Sequence, residues 1–178
     1  VSLENRILHL DVVLTATANE DYLDAFKQTP DYSSFKGRIE LVRLPYLLDY
    51  TVEEVVYDEQ VSSVDFIKHL APHTTMVAAL WATLTRLTRP DPDHYPSDVR
   101  DIISALTPLE KADLYARGKV PENTPPESAR ELKRAIPDMM SEGKGASKYE
   151  GRQGASPREM KTILLNASQN DEYPCLSP

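Results

Sequence analysis

Two short apolar segments near the amino terminus have the pattern of β-strands. The segment His9–Thr17 contains an uninterrupted apolar run at positions 12–14, and Arg38–Leu44 partly alternates apolar and polar residues. β-Branched residues favour strands, and an unbroken apolar run is typical of a strand covered on both faces of a sheet. Between the two segments, Asp21–Lys27 has the spacing of a short helix. The sequence therefore predicts two strands joined through a helix.

The remainder of the chain has the signals of six or seven helices. From about residue 51 onward, apolar residues recur every three or four positions, and cap residues and prolines divide the pattern into segments. The expected helices are Thr51–Glu59, Ser63–Leu70, His73–Thr88 and the segments that open at Ser97, Thr107, Thr124 and Ser156.

A stripe of large apolar side chains marks the expected buried face of the helix at His73–Thr88. Because Trp81 lies within this stripe, we expect it to belong to the core rather than to a ligand site. The stripe consists of Val77, Leu80, Trp81, Leu84 and Leu87.

Two stretches lack such periodicity. Residues 143–154 hold four of the six glycines and are predicted to form a mobile loop. The tail from Asn170 is predicted to be frayed.

Composition narrows the class of protein. The 178 residues carry a net charge of −8, which argues against a nucleic-acid partner because phosphate backbones repel an acidic surface. The only cysteine is Cys175, so an intrachain disulfide and a cysteine zinc cluster are excluded, as in proteins of a reducing, cytoplasmic compartment. No apolar run approaches the roughly 20 residues of a membrane span, and no signal peptide is recognisable. The chain begins at Val1 and a strand-like segment follows almost at once, so we expect a fragment.

Motifs of common catalytic sites are missing from the sequence. It contains neither a G-x-x-x-x-G-K-[ST] phosphate loop nor a G-x-S-x-G nucleophile elbow, and its four histidines lack metal-ligand spacing. Three polar residues near the ends of elements remain as candidates. Asn19 follows the first strand, Arg38 opens the second, and Arg158 lies in the first turn of the last helix. Ligands of open α/β sheets bind at such edges.

Each candidate also has a purely structural interpretation. Asn19 can cap the helix that follows it, Arg38 can be a solvated residue at a strand edge or pair with Glu40, and Arg158 can simply occupy a helix start. Arg43, on the same predicted strand as Arg38, serves as a control with equal chemistry and no expected role.

In their order and spacing these segments resemble the PrkA-type serine protein kinases, whose nucleotide-binding module is of the AAA+ class. Val12–Glu20 is similar to the fourth core strand with its sensor-1 asparagine, and Phe35–Tyr46 is similar to the arginine-containing box, fifth strand and Pro-Tyr exit. The likeness is weakest from about residue 97 to 149. Further similar segments are Thr51–Val56 at a helix start, Leu70–Thr74 and Leu84–Leu87 in lid helices, and Gly154–Arg158 at the sensor-2 arginine.

The resemblance implies a fold that is mainly α with a small α/β part. Residues 1–60 would hold the last two strands of an AAA+ core, and residues 61–178 would form a helical lid. Asn19 would orient the water or acceptor that attacks the γ-phosphate, Arg38 would be an arginine finger, and Arg158 would contact the β- and γ-phosphates. ATP and Mg²⁺ would be bound mainly by residues upstream of this chain, so the chain alone would be inactive. The implied partners are ATP, a protein phosphorylated on serine and further copies of the AAA+ module.

Two other functions are compatible with the sequence. One is a helical docking module built from residues 63–167, with the amino-terminal strands pairing with a partner. The other is a regulatory ATPase that binds nucleotide without hydrolysing it.

Overall fold

A computed structural model of the chain describes residues 2–3, 6–7, 11–62, 68–142 and 150–178. Most of the described residues that form regular structure are helical, and the strands are two residues long. The strands are β1 (Ser2–Leu3), β2 (Arg6–Ile7), β3 (His69–Leu70) and β4 (Cys175–Leu176). The helices are α1 (Glu20–Lys27), α2 (Tyr32–Phe35), α3 (Tyr50–Ser62), α4 (Thr74–Arg86), α5 (Ser97–Ala105), α6 (Pro108–Arg117), α7 (Pro126–Arg134), α8 (Ile136–Ser141) and α9 (Pro157–Ser168), with a 3₁₀ turn at Pro92–His94.

The chain divides into two compact units, Val1–Arg43 and Leu44–Pro178. The expected division into a core at 1–60 and a lid at 61–178 is a different boundary, and it stays a prediction.

The first unit contains β1 and β2, paired antiparallel, and the helices α1 and α2. The ring of Phe26 on α1 packs edge-on against Tyr32 of α2, with the ring centroids 5.6 Å apart. None of residues 11–43 is buried. The helix predicted at Asp21–Lys27 is confirmed and begins one residue earlier.

The two strands predicted in the amino-terminal region are not formed in the described residues. Positions 11–19 and 39–49 have no regular structure, and their apolar side chains are exposed, with Val13 at 97% and Leu44 at 80%. A strand is held by hydrogen bonds to a neighbouring strand, and the described residues supply no neighbour to either segment. Residues 8–10, where the first strand was expected to begin, lie outside the described residues.

The described residues of the second unit enclose two apolar clusters. One lies among α5, α6, α7 and α8 and the residues that precede α3 and α5, and the other among α3, α4, α6, α9 and β4. The first consists of Leu48, Tyr95, Val99, Ile103, Leu114, Tyr115, Leu132, Ala135 and Met139. The second consists of Tyr50, Tyr57, Ala78, Ala79, Ala82, Ala112, Met160, Leu164 and Leu176.

The buried face of α4 agrees with the predicted stripe only in part. Val77 and Trp81 are exposed at 37% and 50%, so the expectation that Trp81 lies in the core is wrong. Small side chains allow two helix axes to approach closely, and the fully buried positions of α4 are small residues and Arg86. Leu80, Leu84 and Leu87 of the predicted stripe are partly buried and pack against the second cluster. The buried residues of α4 are Thr74, Thr75, Ala78, Ala79, Ala82, Thr83 and Arg86.

The carboxyl-terminal tail and the glycine-rich stretch also differ from expectation. β4 pairs in parallel with β3, and Leu176 is buried, so the end of the tail is held in place. Residues 143–149 of the predicted loop and 63–67 of the helix predicted at Ser63–Leu70 lie outside the described residues. Glu150 and Gly151 are buried, so this part of the predicted loop is anchored to the rest of the unit.

The predicted starts and ends of helices agree with the structure better than the predicted strands do. The helices predicted to open at Thr107 and Ser156 each begin with a capping box, and Gly118 ends α6 with a left-handed backbone. The start of α3 differs in detail, because the carboxylate of Asp49 accepts hydrogen bonds from the amides of Thr51 and Val52. The cap of this helix is therefore Asp49 and not Thr51.

Candidate functional site

Asn19 lies at the amino-terminal cap of α1. Its side chain is exposed and makes no capping hydrogen bond, and only its backbone carbonyl accepts from the amide of Leu23, at 3.0 Å. The amide group is therefore not occupied by the helix that it precedes. The structure supports a cap position but not a side-chain cap.

Arg38 follows the turn after α2. Its backbone amide donates to the carbonyl of Phe35, at 2.7 Å, and its side chain is exposed. Among the described residues no ion pair joins Arg38 to Glu40, so this structural interpretation is not supported. Arg43 differs, because its guanidinium donates to Glu20 at 2.7 Å. No hydrogen bond between the side chains of Asn19 and Arg38 is formed in the described part of this unit.

Arg158 belongs to the second unit and is the second residue of α9. The helix begins with a capping box in which Ser156 accepts from the amide of Glu159 and the Glu159 carboxylate accepts from the amide of Ser156, at 2.7 Å. This backbone hydrogen bond lowers the pKa of Glu159 below its usual value. The Arg158 side chain is exposed beside this ordered first turn.

A buried charged cluster holds the residues that enter α9. The guanidinium of Arg86, at the end of α4, donates to both carboxylate oxygens of Glu53 on α3. It also donates to the carbonyl of Leu47, at 2.8 Å, and to that of Ala155, at 2.9 Å from its Nε. Arg86 is 2% exposed and Glu53 is fully buried. The hydroxyl of Tyr57 donates to the same carboxylate, and burial together with this bond raises the pKa of Tyr57.

A second buried cluster is centred on Glu150. Its carboxylate accepts from the amide of Thr88 at 2.8 Å, from the ammonium of Lys111 and from the hydroxyl of Tyr115 at 2.8 Å. Lys111 also donates to the carbonyl of Thr88, at 2.6 Å. Burial, followed by the Glu150 charge, raises the pKa of Tyr115. The phenol therefore stays protonated and acts as a hydrogen-bond donor.

Neither buried cluster was predicted from the sequence. The available signal for Arg86 was its spacing, because it continues the row of small residues Ala78, Ala79, Ala82 and Thr83 at intervals of three and four. A charged residue at the end of such a row has a buried partner when the row faces the core. No comparable signal exists for Glu150, which follows a glycine-rich stretch and is paired only by tertiary contacts.

Within the described ranges no group of three or more His, Cys, Asp and Glu side chains is placed to hold a metal ion. None of the described helices has the length and apolar character that crossing a lipid bilayer requires.

Family comparisons agree with the order of the segments along the chain. Residues 3–93, just over half of the chain, match the family model of the PrkA AAA domain. The chain belongs to the PrkA family. Residues 109–178 match the model of the PrkA serine protein kinase C-terminal domain. No solved structure matches the chain.

A curated relative in the PrkA family is the "ATP-dependent protease PrkA" of Bacillus subtilis (strain 168). It is 32% identical over 85 residues, which cover 47% of this chain and 14% of the relative. The match therefore spans about a seventh of the length of this PrkA relative.

The family matches divide the second compact unit between two domains. Glu53, Arg86 and Thr88 lie in the AAA match, whereas Ala155 and Glu150 lie in the match to the PrkA C-terminal domain. The two buried clusters therefore join residues of the two PrkA domains. Arg158, which the resemblance placed in an AAA+ lid, lies in the C-terminal-domain match, and its role stays a prediction.

Proposed function

We propose that this chain contributes to the ATP site of a PrkA-family protein. The observation that carries the proposal is the match of residues 3–93 to the PrkA AAA domain, within which Asn19 and the exposed Arg38 lie. Mg²⁺ accompanies ATP in this proposal, and no ligand for it is assigned on this chain. The phosphate loop would be supplied from upstream.

Three polar side chains act on the phosphates. Asn19 orients the water or the acceptor hydroxyl that attacks the γ-phosphate. Arg38 neutralises the charge that develops on a phosphate bound by a neighbouring copy, which requires self-association. Arg158 contacts the β- and γ-phosphates. Guanidinium groups suit the last two tasks because their planar donors match two phosphate oxygens at once.

The overall reaction is transfer of the γ-phosphoryl group to a serine of a protein substrate. The description of the C-terminal-domain family as a serine protein kinase favours this reaction. The name of the Bacillus subtilis relative, an ATP-dependent protease, favours a second candidate function. In this candidate, ATP turnover drives the remodelling or cleavage of a protein substrate. Transfer of labelled γ-phosphate to serine, compared with cleavage of the same protein in the presence of ATP, distinguishes the two.

The test of the ATP site uses the protein extended upstream through its phosphate loop. Arg38→Ala is expected to lower ATP turnover about 10³-fold, the usual contribution of an arginine finger. Arg43→Ala is the matched control, because it removes the same chemistry from a guanidinium that already binds Glu20. Equal turnover of the Arg38→Ala protein and the unaltered protein would show that Arg38 is structural.

Mixing experiments test whether the finger acts between copies. Arg38→Ala protein mixed with protein that lacks a working phosphate loop is expected to regain part of its turnover. The 178-residue chain alone is expected to show no ATP turnover, and measurable turnover by the pure chain would contradict this proposal.

A docking module is the remaining alternative. It is favoured if the extended protein is inactive toward ATP whether or not Arg38 and Arg158 are replaced, while binding of a protein partner is retained.

A further inference from the structure

The first turn of α9 is attached to the end of α4 through one residue, Ala155. The Ala155 amide donates to the hydroxyl of Thr85, at 2.9 Å, and the Ala155 carbonyl accepts from Arg86. Gly154 lies so close that a Cβ would approach the Thr85 carbonyl and the Arg86 Cγ to 2.7 Å. Both backbone groups of the residue that precedes the α9 cap are thus bound by neighbouring side chains of α4.

Arg86 extends this attachment to two further segments. A guanidinium has five N–H donors in one plane. In Arg86 they are directed at the carbonyl of Ala155, the carbonyl of Leu47 and the carboxylate of Glu53. Leu47 lies in the segment that leads into α3, and Glu53 lies on α3. One buried side chain therefore fixes three separate parts of the chain to α4.

We propose that Arg86 is a positioning residue that fixes the first turn of α9, and with it Arg158, to α3 and to the segment entering α3. The inference rests on the proposed function for the phosphate role of Arg158. Arg158 follows Ala155 by three residues and is separated from it by the capped turn at Ser156. A shift of Ala155 is therefore passed directly to the backbone of Arg158.

Arg86 thereby couples the part of the chain that matches the PrkA AAA domain to the part that matches the PrkA C-terminal domain. Leu47, Glu53 and Arg86 lie in the PrkA AAA match, and Ala155 and Arg158 lie in the C-terminal-domain match. Movement of α3 with nucleotide state would be transmitted through Arg86 to the residues that contact phosphate. Lysine cannot replace this function, because a single ammonium group cannot reach three acceptors that lie in different directions.

The experiment uses the extended protein and variants of two neighbouring residues. Arg86→Lys tests the guanidinium directly. Thr85→Ala removes the acceptor of the Ala155 amide, together with the bond that the Thr85 hydroxyl donates to the carbonyl of Ala82. Since Thr85 is exposed, this protein is expected to fold even if Arg86→Lys does not. Thr85→Ser retains the hydroxyl and should behave as the unaltered protein. Ser104→Ala, which removes a comparable side-chain-to-backbone bond on α5, is the control.

Two measurements are made on every variant. Hydrogen exchange of the backbone amides at 155–160, apart from Pro157, which has no amide hydrogen, is expected to become faster in Arg86→Lys and Thr85→Ala. It should stay unchanged in Thr85→Ser and Ser104→Ala. The KM for ATP is expected to rise about three- to tenfold in the first two variants. Double variants that combine Arg86→Lys or Thr85→Ala with Arg158→Ala should have the same KM as Arg158→Ala alone. The effects of two substitutions on KM do not add when one residue acts through the other.

The outcomes separate this inference from the proposed function. Unchanged exchange at 155–160 would overturn the inference, and so would effects on KM that multiply with that of Arg158→Ala. If Arg158→Ala has no effect on ATP binding, the phosphate role of Arg158 fails. In that event the exchange at 155–160 still decides whether Arg86 positions this turn.

Discussion

Arg86 and Glu53 form an ion pair whose charges are removed from water. Burial of two charges is unfavourable unless their attraction and further hydrogen bonds compensate for lost hydration. Here the guanidinium donates to two carbonyls besides the carboxylate, and Tyr57 donates to the carboxylate as well. The pair is stable in this position because its hydrogen-bonding groups have partners. Removal of either charge would leave the other buried and uncompensated.

Replacement of Glu53 therefore destabilises the second unit strongly. Glu53→Gln keeps the size of the side chain and removes its charge, so the buried Arg86 is left unpaired. The free energy of unfolding is expected to fall by about 3–5 kcal/mol, measured by urea denaturation. Glu54→Gln, at the adjacent and only half-buried position, should change it by less than about 1 kcal/mol. Equal effects of the two changes would contradict the role given to Glu53.

His94 is an exposed residue with a local acidic environment. Its Nδ1 lies 3.1 Å from the Glu142 carboxylate, and this hydrogen bond, followed by the charge of Asp91, raises the pKa of His94 above 6.5. Because the folded-state pKa is raised, the stabilisation is fully present below pH 6.5 and is lost as pH rises through the raised value. An NMR titration should find the elevated pKa, and Glu142→Gln should return it toward 6.5. A pKa of 6.5 or below in the unaltered chain would show that this contact does not form in solution.

At the scale of elements, short turns decide how the helices of the second unit are joined. The turn before α9 passes through Gly151, whose carbonyl accepts from the amide of Tyr46 at 2.9 Å. Gly151 has a φ of +77°, and a Cβ there would lie 2.8 Å from the Tyr46 carbonyl. The segment that leads into α9 and the segment that leads into α3 are thus in backbone contact. Glycine is required here for both its left-handed backbone and its lack of a side chain.

Substitution of this glycine is expected to be costly. Gly151→Ala combines a strained backbone with a close contact, so the free energy of unfolding should fall by about 1–3 kcal/mol. Gly37→Ala is the matched control in the first unit, because no atom lies within 4 Å of its would-be Cβ and its φ is not in the left-handed region. That change should be neutral or stabilising by a few tenths of a kcal/mol. Thermal or urea unfolding measures both, and the idea is wrong if Gly151→Ala is as mild as Gly37→Ala.

At the scale of the whole molecule, the two units differ in how many of their apolar side chains are buried. In the part of the second unit that the structure describes there are two apolar clusters, whereas residues 11–43 include no buried side chain. In the first unit Val12, Val13 and Leu14 are exposed at 68%, 97% and 88%, and Val42 is exposed at 72%. Exposed extended segments with such side chains favour association with other β-segments.

We expect the 178-residue chain to self-associate through these segments. Val13→Lys removes an almost fully exposed apolar side chain and should shift the chain toward the monomer at a given concentration, as measured by light scattering. Thr15→Lys adds the same charge at a nearby exposed position without removing apolar surface, so it should have a smaller effect. If both variants respond equally, charge rather than apolar exposure governs the association.

Local sequence determined the features that depend on neighbours along the chain. The capping boxes at Thr107 and Ser156, the end of α6 at Gly118 and the helix at Asp21–Lys27 follow from hydrogen bonds and backbone preferences within a few residues. The order of short segments was also sufficient to indicate the PrkA family, which the family matches confirm.

Tertiary structure decided the features that depend on distant partners. Periodicity predicted one buried stripe on α4, but the packing of α3, α6 and α9 buried the small residues most fully, kept Leu80 and Leu84 partly buried and left Trp81 half exposed. Glu150 is buried only because Lys111, Tyr115 and Thr88 supply its hydrogen bonds from other elements. The segments at positions 12–14 and 39–44 have the composition of strands, yet a strand requires hydrogen bonds from a neighbour. A sequence fixes the propensity of such a segment, and the presence of a partner fixes its structure.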